Sequence, residues 1–413
     1  MKKYTYILLA SALLFGGAGT LFAQEIEWKI HPTPSNYLVS SVIHEDNLFV
    51  AVGGVKGEDL TDFTPLILTS EDGIKWTEQD LDGLGVINSV AYGNDTFVAG
   101  GSIHSLLGPL GAVSPRVFIS PDGKQWNEVE DLGLDEESVL SIAYGKDLFV
   151  LTTNSPVIAP KIYTSSDGIT WTEQTPSSAP ASAAFVFYGN ELFVIISNDL
   201  VLTSSDGIEW DDRTSSFPEG EVTSFNSTNN LFILSVMDED ETAHLFISSD
   251  GITWNEHSSP FGDGELGLHK NVTYTNNLYV TGGSIFDVEE ATSTNYLFSS
   301  NNLESWEREE FPFLDFIPIF MFYEDDQYVV IGGPLYNDGS SSVFLTGTLQ
   351  KDNGNLFPRS SSIFGTRFCS ETVTTFCRPQ NGFTNNNPLI SIYTELLGLY
   401  QQLLSAMQSE NSL

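Results

Sequence analysis

Cysteine and basic residues are scarce in this chain of 413 residues. Only Cys369 and Cys377 occur, both near the C-terminus, so the main body must hold together without disulfides. Lysine and arginine number 16 against 55 aspartates and glutamates, a formal net charge of −39 at pH 7. So acidic a surface repels phosphate backbones and anionic lipids, which argues against nucleic acid as a partner. It would attract cations or basic proteins, although simple hydration of an extracellular or salt-exposed surface is the favoured explanation.

Long apolar runs are also missing, with one exception at the start of the chain. The sequence opens MKKYTYILLASALLFGGAGTLFAQ, in which Lys2 and Lys3 precede an apolar stretch and the small residue Ala23 offers a cleavage point. A spanning helix needs about 20 apolar residues, so this stretch is short for an uncleaved anchor, which is the alternative. We therefore predict a signal peptide over residues 1–23, a secreted or cell-surface protein, and no integral membrane span.

The chain is rich in short runs of aromatic and β-branched residues. Hydrophobic residues make up 41% of the chain and aromatic residues 12%, enough for a large core in spite of the charge. The runs are bounded by Gly, Asn and Asp, which is typical of strands joined by hairpins rather than of helices. Residues 88–130 illustrate one unit, with strands predicted at NSVAYG, TFVAGGS, RVFIS and QWNEV.

Tryptophan marks a repeat of this unit. The seven tryptophans lie at 28, 76, 126, 171, 210, 254 and 306, a period of about 46 residues, which is in the range of β-propeller blades. Trp28 belongs to a fourth strand with no strands before it, while residues 318–349 supply three strands with no tryptophan after them. We therefore predict an all-β, seven-bladed propeller over residues 24–349, with four-stranded antiparallel blades and a ring closed by the N-terminal strand.

Five of the tryptophans end the phrase S-x-D-G-x-x-W. We expect the Asp to accept hydrogen bonds within its own turn, the Gly to supply a positive φ, and the Trp to cover the gap to the next blade. The structural residues predicted for these turns are Asp72, Gly73 and Trp76; Asp122, Gly123 and Trp126; Asp167, Gly168 and Trp171; Asp206, Gly207 and Trp210; and Asp250, Gly251 and Trp254. A sixth copy, SNNLESW, has Asn302 and Leu303 in place of Asp and Gly, which predicts a turn of different shape.

These turns resemble the Asp-box, or BNR, repeat of the sialidase superfamily and of many secreted bacterial propellers, although the usual box has one more residue between Asp and Gly. Sialidases similar in fold use an arginine triad on the inner strands, a tyrosine nucleophile with a glutamate, and an acid/base aspartate. The predicted propeller has only Arg116, Arg213 and Arg308, and the last two follow tryptophans near the outer rim. The resemblance therefore implies a sialidase-like fold without the catalytic arginine pattern, and we assign no catalytic residue.

The predicted propeller has one face of tight turns and one face of long, varied loops. The second face, formed by the B to C loops and the connections between blades, is the candidate binding face, because variable loops on a rigid scaffold usually carry binding. Its carboxylates suit calcium, the one cofactor to consider, but lack the spacing of a recognised calcium loop. The weak metal candidates are Asp238, Asp240, Asp287, Glu289 and Glu290. Aromatic residues beside these loops, such as Phe217 and Phe261, would either stack on a ligand or pack between blades.

The sequence favours an exported, non-catalytic binding or interaction propeller with a glycan or protein ligand. Two other hypotheses stay open. A glycoside hydrolase needs only two suitably spaced carboxylates, which this acidic chain can supply from its loops. The other is a structural component of an envelope assembly, which rests mainly on the C-terminal tail described below; the fold by itself does not decide among the three.

The C-terminal segment departs from the propeller pattern. Residues 350–387 form a loop-like linker, in which Cys369 and Cys377 are predicted to form a disulfide in an oxidising compartment. From Pro388 onward apolar residues are spaced three and four apart, which predicts an amphipathic helix over residues 388–413. So apolar a helix must be covered by the propeller, by self-association or by an envelope partner.

The signal-peptide hypothesis has a direct test. Because signal peptidase cuts after small residues, the exported protein should begin near residue 24, as read by intact mass or N-terminal sequencing. An exported chain that still carries Lys2 would contradict the hypothesis.

Overall fold

The structure is a computed structural model that describes residues 26–349 with short gaps. The gaps are residues 32–33, 35, 58–62, 105–112, 131, 135–136, 156–158, 177–183, 198–199, 239, 241, 262–265, 270–271, 276, 288–291, 311–315, 325–326 and 335–341. The signal peptide, the linker with its cysteine pair and the C-terminal helix lie outside the described residues and stay predictions.

The described strands form seven antiparallel sheets, the blades, in each of which the strands are named A to D in order. Strand β1 (Ile26–His31) is strand D of the last blade. Blade 1 is β2 (Tyr37–Glu45), β3 (Leu48–Lys56), β4 (Phe63–Ser70) and β5 (Thr77–Gln79). Blade 2 is β6 (Val86–Gly93), β7 (Thr96–His104), β8 (Val113–Ser120) and β9 (Asn127–Glu128). Blade 3 is β10 (Ser138–Gly145), β11 (Leu148–Asn154), β12 (Ile162–Ser165) and β13 (Thr172–Glu173). Blade 4 is β14 (Phe185–Gly189), β15 (Leu192–Ile196), β16 (Val201–Ser204) and β17 (Asp211–Asp212), followed by a 3-10 turn at Thr214–Ser216.

The remaining blades follow the same order. Blade 5 is β18 (Glu221–Thr228), β19 (Leu231–Met237), β20 (Ala243–Ser248) and β21 (Asn255–His257). Blade 6 has its strand A in two pieces, β22 (Leu266–His269) and β23 (Thr273–Thr275), and continues with β24 (Leu278–Asp287), β25 (Thr292–Ser300) and β26 (Glu307–Glu310). Blade 7 is β27 (Phe316–Glu324), β28 (Gln327–Pro334) and β29 (Val343–Leu349), completed by β1. The seven-bladed architecture predicted from the sequence is therefore confirmed.

The ring closes through β1, as predicted. This strand pairs antiparallel with β29, with Trp28 opposite Gly347. The Trp28 ring lies 6.4 Å from the ring of Tyr328 on β28, and His31 is hydrogen-bonded to the Thr346 hydroxyl at 2.7 Å. Blade 7 thus obtains its outer strand from the other end of the chain, and its sheet has no open edge on that side.

The core consists of clusters at the interfaces between blades. In one of them Val150 and Ile162 of blade 3 pack with Val186, Phe193 and other side chains of blade 4, all of them buried. Contacts between β6, β10 and β14 place the A strands of neighbouring blades side by side, so strand A is the innermost strand of each blade. Each blade therefore buries its two faces against its two neighbours rather than within itself.

A cross-strand aromatic pair repeats between strands A and B of the blades, next to the A to B turn. In blade 4 the ring of Tyr188 on strand A lies 4.7 Å from that of Phe193 on strand B. The equivalent pairs are His44 with Phe49, Tyr92 with Phe97, Tyr144 with Phe149, Tyr274 with Tyr279, and Tyr323 with Tyr328. The ring of Tyr188 also fills the space above Gly145 of the preceding blade, where a Cβ would overlap it. Glycine at this position lets neighbouring A strands approach closely.

The A to B hairpins are two-residue turns with left-handed backbone at both positions. Asn94 and Asp95 have φ of 50° and 55°, and Asn190 and Glu191 have 47° and 62°. Asn and Asp tolerate this conformation better than other residues, and turns of this kind match the twist of the flanking strands.

The S-x-D-G-x-x-W turns form the hydrogen bonds expected of them. In the fifth copy Asp250 accepts the N–H groups of Ile252 and Thr253 at 2.9 and 2.7 Å, and Ser248 accepts that of Gly251. The N–H of Thr253, followed by that of Ile252, lowers the pKa of Asp250 to about 2. The carboxylate is thus a structural acceptor held in its charged form.

The position of the tryptophan differs from the prediction in two respects. Strand D begins after Trp126 rather than before it, because the indole N–H of Trp126 donates to the Gly123 carbonyl at 2.7 Å and so belongs to the turn. The ring of Trp76 lies 4.7 Å from that of Phe344 on blade 7, so it covers the gap to the preceding blade, not to the next one.

The prediction of a different sixth turn was wrong. Asn302 accepts the N–H groups of Glu304 and Ser305 at 3.0 and 3.1 Å, and Leu303 has a φ of 63°, close to the 68° of Gly251. An amide oxygen accepts the same two hydrogen bonds as a carboxylate oxygen. Leu303 is also buried in the core, and this burial offsets the cost of its left-handed backbone.

The close approach of the blades predicts a specific sensitivity at Gly145. Gly145→Ala should lower the free energy of unfolding by about 1–3 kcal/mol, because the added methyl overlaps the Tyr188 ring. Gly333→Ala is the matched control, since its Cβ would have as nearest neighbour the Ile319 side chain at 3.9 Å. Denaturant unfolding of both variants checks this, and equal stabilities would contradict it.

Candidate functional site

Contacts between turns of neighbouring blades define the tight-turn face. Asn94, in the A to B turn of blade 2, donates to the Ser166 carbonyl in the C to D turn of blade 3 at 3.1 Å. Gln327 of blade 7 donates in the same way to the Asp72 carbonyl of blade 1 at 2.8 Å. The B to C loops and the connections between blades lie at the other end of the strands, on the loop face.

The loop face is only partly described, because many of its loops coincide with the gaps. Of the predicted metal candidates, Glu289 and Glu290 lie outside the described residues, and Asp287 ends β24 without a described side chain. Asp238 accepts the N–H groups of Asp240 and Thr242 at 3.0 and 2.8 Å, so it caps its own loop. Within the described part of the chain, no group of three or more His, Cys, Asp or Glu side chains is arranged to hold a metal ion.

Three blades carry a basic side chain on strand C, or directly before it, that contacts a glutamate on strand D. In blade 2 the guanidinium of Arg116, only 6% exposed, contacts both carboxylate oxygens of Glu128 at 2.7 Å. It also donates to the carbonyls of Asp82 and Leu84 at 2.8 and 3.2 Å and lies 4.6 Å from the Phe118 ring centre. Arg116 therefore ties the connection between blades 1 and 2 to the sheet.

Blade 3 has a lysine at the equivalent position. Lys161 lies 3.5 Å from both Glu173 on strand D and Glu137, which precedes strand A and is fully buried. Burial, and then the charge of Glu137, raises the pKa of Tyr163 to about 12. A buried ion pair of this kind fixes geometry, and removal of one partner costs about 3–5 kcal/mol.

Blade 5 has a histidine at the equivalent position. His244 Nδ1 lies 2.7 Å from Glu256 and Nε2 lies 3.0 Å from Asp238, which belongs to the B to C loop. Both ring nitrogens donate only when the imidazole is protonated. The hydrogen bonds to Glu256 and then to Asp238 raise the pKa of His244 above its ordinary value.

These three clusters were missed in the sequence, although a signal for them exists. Arg116 and Glu128, Lys161 and Glu173, and His244 and Glu256 are each separated by 12 residues, in fixed register with the repeated tryptophan. The spacing cannot show the additional partner that each basic side chain has outside strand D, because that partner comes from a loop or from a connection between blades.

Phe185 is the second feature missed in the sequence. It begins β14, the innermost strand of blade 4, and is 49% exposed. The equivalent positions of blades 2 and 3 hold Ser89 and Ser141, whose hydroxyls bond the backbone of the next blade at Ile142 and Val186. Blade 4 thus presents an aromatic ring near the axis where blades 2 and 3 have a serine engaged in inter-blade bonding.

Other predicted aromatic and basic residues have structural positions. The ring of Phe217 lies 5.3 Å from Trp254 of blade 5, and that of Phe261 lies 5.3 Å from Phe298 of blade 6, so both pack between blades. Arg213 contacts Asp211 at 2.7 Å and Arg308 lies on the outer strand β26. No arginine of the described residues points with others toward a shared anion site.

The fold and the repeated turn define the class of protein: a propeller of seven four-stranded blades, five of which have an S-x-D-G-x-x-W turn between strands C and D. The model of the DUF6242 beta propeller domain matches residues 83–313, more than half of the chain, which therefore belongs to this family. No curated protein sequence matches the chain. Among the described residues, no helix has the length and apolar character needed to cross a membrane.

Solved structures show the same fold at low identity. A catalytically inactive virginiamycin B lyase from Staphylococcus aureus with quinupristin is 9% identical, with a TM-score of 0.54 over 79% of this chain and 100% of that one. An ulvan lyase, a polysaccharide lyase of family PL25, is 10% identical, with a TM-score of 0.50 over 76% and 93%. The Trypanosoma rangeli sialidase is 13% identical with a TM-score of 0.43, and the chain spans 55% of its length. These similarities concern the fold alone.

The geometry around His244 predicts a pH dependence. A raised pKa means that the histidine stabilises the fold fully below about pH 6.5, the ordinary value, and that this contribution is lost as the pH rises through the raised pKa. The melting temperature should fall over that range in the native protein and less in His244→Gln.

An NMR titration provides the control within the same molecule. Burial lowers the pKa of His31, so His31 should titrate below its ordinary value and His244 above it. A His244 resonance that titrates at or below about pH 6.5 would contradict the ion-pair geometry.

Proposed function

We propose that this protein is an exported, non-catalytic binding propeller that holds a glycan or protein ligand on its loop face, at the cell surface or outside the cell. The observation that carries the proposal is the exposed ring of Phe185 on the innermost strand of blade 4. Strand A runs from the loop face to the tight-turn face, so Phe185 lies at the end of β14 that is nearer the loop face.

An exposed phenylalanine on an innermost strand supports binding for an energetic reason. A phenylalanine can bury on the order of 150–250 Å² when it is covered, and such aromatic anchors dominate the affinity of many interfaces. The serine that blades 2 and 3 carry at this position makes two hydrogen bonds to the next blade, and Phe185 cannot make them.

The ion-pair clusters support the same proposal. Arg116, Lys161 and His244 each connect strands C and D to a loop or connection of the loop face. Loops with fixed ends lose less conformational entropy when a ligand binds. The negative charge of the chain favours neutral or cationic ligands over anionic ones.

We propose further that the S-x-D-G-x-x-W turns are a shortened relative of the Asp-box. Their Ser, Asp, Gly and Trp hydrogen bonds supply the support, and their position on the tight-turn face gives them a structural role away from the ligand. The lyases with the same fold are enzymes, but identities near 10% do not carry their chemistry to this chain.

The variant Phe185→Ser tests the proposal, because serine is the residue that the scaffold carries in two other blades. On a glycan array the native protein should bind at least one glycan, and Phe185→Ser should weaken that binding about tenfold or more. Ile252→Ser is the matched control: it removes an exposed apolar side chain from the tight-turn face and should leave binding unchanged.

A panel of chromogenic glycosides separates the rival hypotheses. Turnover of any glycoside would overturn the non-catalytic proposal in favour of a glycoside hydrolase. Array binding that Phe185→Ser leaves unchanged would overturn the proposed location. No binding on the array and no turnover of any glycoside would favour a structural component of an envelope assembly.

A further inference from the structure

A groove on the outer side of the propeller, between blades 3 and 4, is separate from the loop-face site. It is lined on one side by residues 173–176, at the end of strand D of blade 3, and on the other by residues 208–210, in the C to D turn of blade 4. Its volume is about 530 Å³, and it is an open groove rather than an enclosed cavity. We call it the outer groove.

Both walls of the outer groove are fixed by hydrogen bonds. On the blade 3 side, the Gln174 N–H donates to the Ile162 carbonyl at 2.8 Å, and the Thr175 hydroxyl accepts the Ile162 N–H at 3.0 Å. On the blade 4 side, Asp206 accepts the N–H groups of Ile208 and Glu209 at 2.9 Å each. The groove is therefore formed before any ligand arrives, which lowers the cost of binding.

The lining is mainly polar, with a smaller apolar part. Trp210 is half-buried, Ile208 is 48% exposed, and Pro176 adjoins them. Gln174 and Thr175 supply an amide and a hydroxyl beside this apolar surface. A sugar ring presents C–H groups on its faces and hydroxyls at its edge, so it matches a wall of this mixed character.

The charge of the groove selects among sugars. Glu173 and Glu209 both line it, and the neighbouring cation, Lys161, lies 3.5 Å from both Glu173 and Glu137. An anionic sugar would meet the carboxylates of Glu173 and Glu209, and the nearby Lys161 is already paired with Glu173 and Glu137. A neutral sugar has no such penalty.

The outer groove differs from other interfaces in combining a glutamine with an isoleucine. Exposed isoleucines also occupy the turns of blades 1, 3 and 5, at Ile74, Ile169 and Ile252, but the preceding strands D have His31, Val129 and Arg213 at the position of Gln174. In the turn of blade 2, Lys124 replaces the isoleucine, and its ammonium contacts Glu71 of blade 1. The interface between blades 1 and 2 has Gln79 at the position of Gln174. The side-chain amide of each glutamine donates to a threonine hydroxyl on strand C of its own blade. The interface between blades 1 and 2 therefore has an equivalent glutamine, but a lysine in place of the apolar isoleucine.

From these observations we infer that the outer groove is a second binding site, which takes a neutral oligosaccharide. It goes beyond the proposed loop-face function and does not depend on it, since the groove is lined by strand D and a C to D turn at the rim, whereas Phe185 lies on the innermost strand.

The test measures binding of laminarihexaose, xylohexaose and mannohexaose by calorimetry, with hexagalacturonate as the anionic counterpart. At least one neutral hexasaccharide should bind and hexagalacturonate should not. Ile208→Ser and Gln174→Ala should each raise the Kd about fivefold or more, the effect of a lost apolar or hydrogen-bonding contact of roughly 1 kcal/mol.

Two matched variants serve as controls. Ile252→Ser changes the equivalent isoleucine of blade 5, and Gln79→Ala the equivalent glutamine of blade 1, so both should leave the Kd unchanged. Absence of binding to all three neutral hexasaccharides would overturn the inference. Equal binding of hexagalacturonate, or an unchanged Kd in both groove variants, would do the same.

The variant Phe185→Ser distinguishes this inference from the proposed function. If Phe185→Ser abolishes oligosaccharide binding and the groove variants do not, the ligand lies on the loop face and the outer-groove site is wrong. If the groove variants abolish it and Phe185→Ser does not, the outer groove stands whatever the outcome of the loop-face proposal.

Discussion

The mutual burial of neighbouring blades is the interaction on which this structure depends. A blade of four strands has two apolar faces and no partner within itself, so each face must be covered by the next blade in the ring. The cluster across the seam shows this, since Val42 and Leu66 of blade 1 pack with Ile331 and Phe344 of blade 7. Each such fully buried side chain contributes about 1.5–3 kcal/mol. The ring must therefore close, and β1 closes it by completing blade 7.

The repeated turns form their contacts on the tight-turn face and leave the loop face uncovered. The aspartates of the C to D turns accept hydrogen bonds from the backbone N–H groups two and three residues further along the turn, and the A to B turns contact the turns of neighbouring blades. Both devices act on the tight-turn face. The opposite face is free to vary, which is the usual division of labour between scaffold and binding surface.

Several of the few basic side chains form contacts between different parts of the propeller. Arg116, Lys161 and His244 attach loops or connections to strands C and D, while Lys124 and Lys146 join turns of adjacent blades. Membership of the DUF6242 beta propeller family places the chain in a propeller family without assigning a ligand. The exposed Phe185 and the outer groove offer two separate surfaces, one near the axis and one at the rim, with different expected chemistry.

The sequence by itself determined the blade number, the strand order and the closure by β1, because these follow from a repeat whose period and phase are local properties of the chain. The prediction that the turn at Leu303 would have a different shape was wrong. The local preference for glycine at positive φ is outweighed by burial of the leucine side chain in the core. Only the tertiary structure decided which side chains meet across blades: that Glu137 contacts Lys161, that Asp238 reaches His244, and that residues 173–176 face residues 208–210. The reason is physical, because a repeat fixes the place of each residue within its own blade, whereas contacts between blades depend on the wedge angle and on connections that do not repeat.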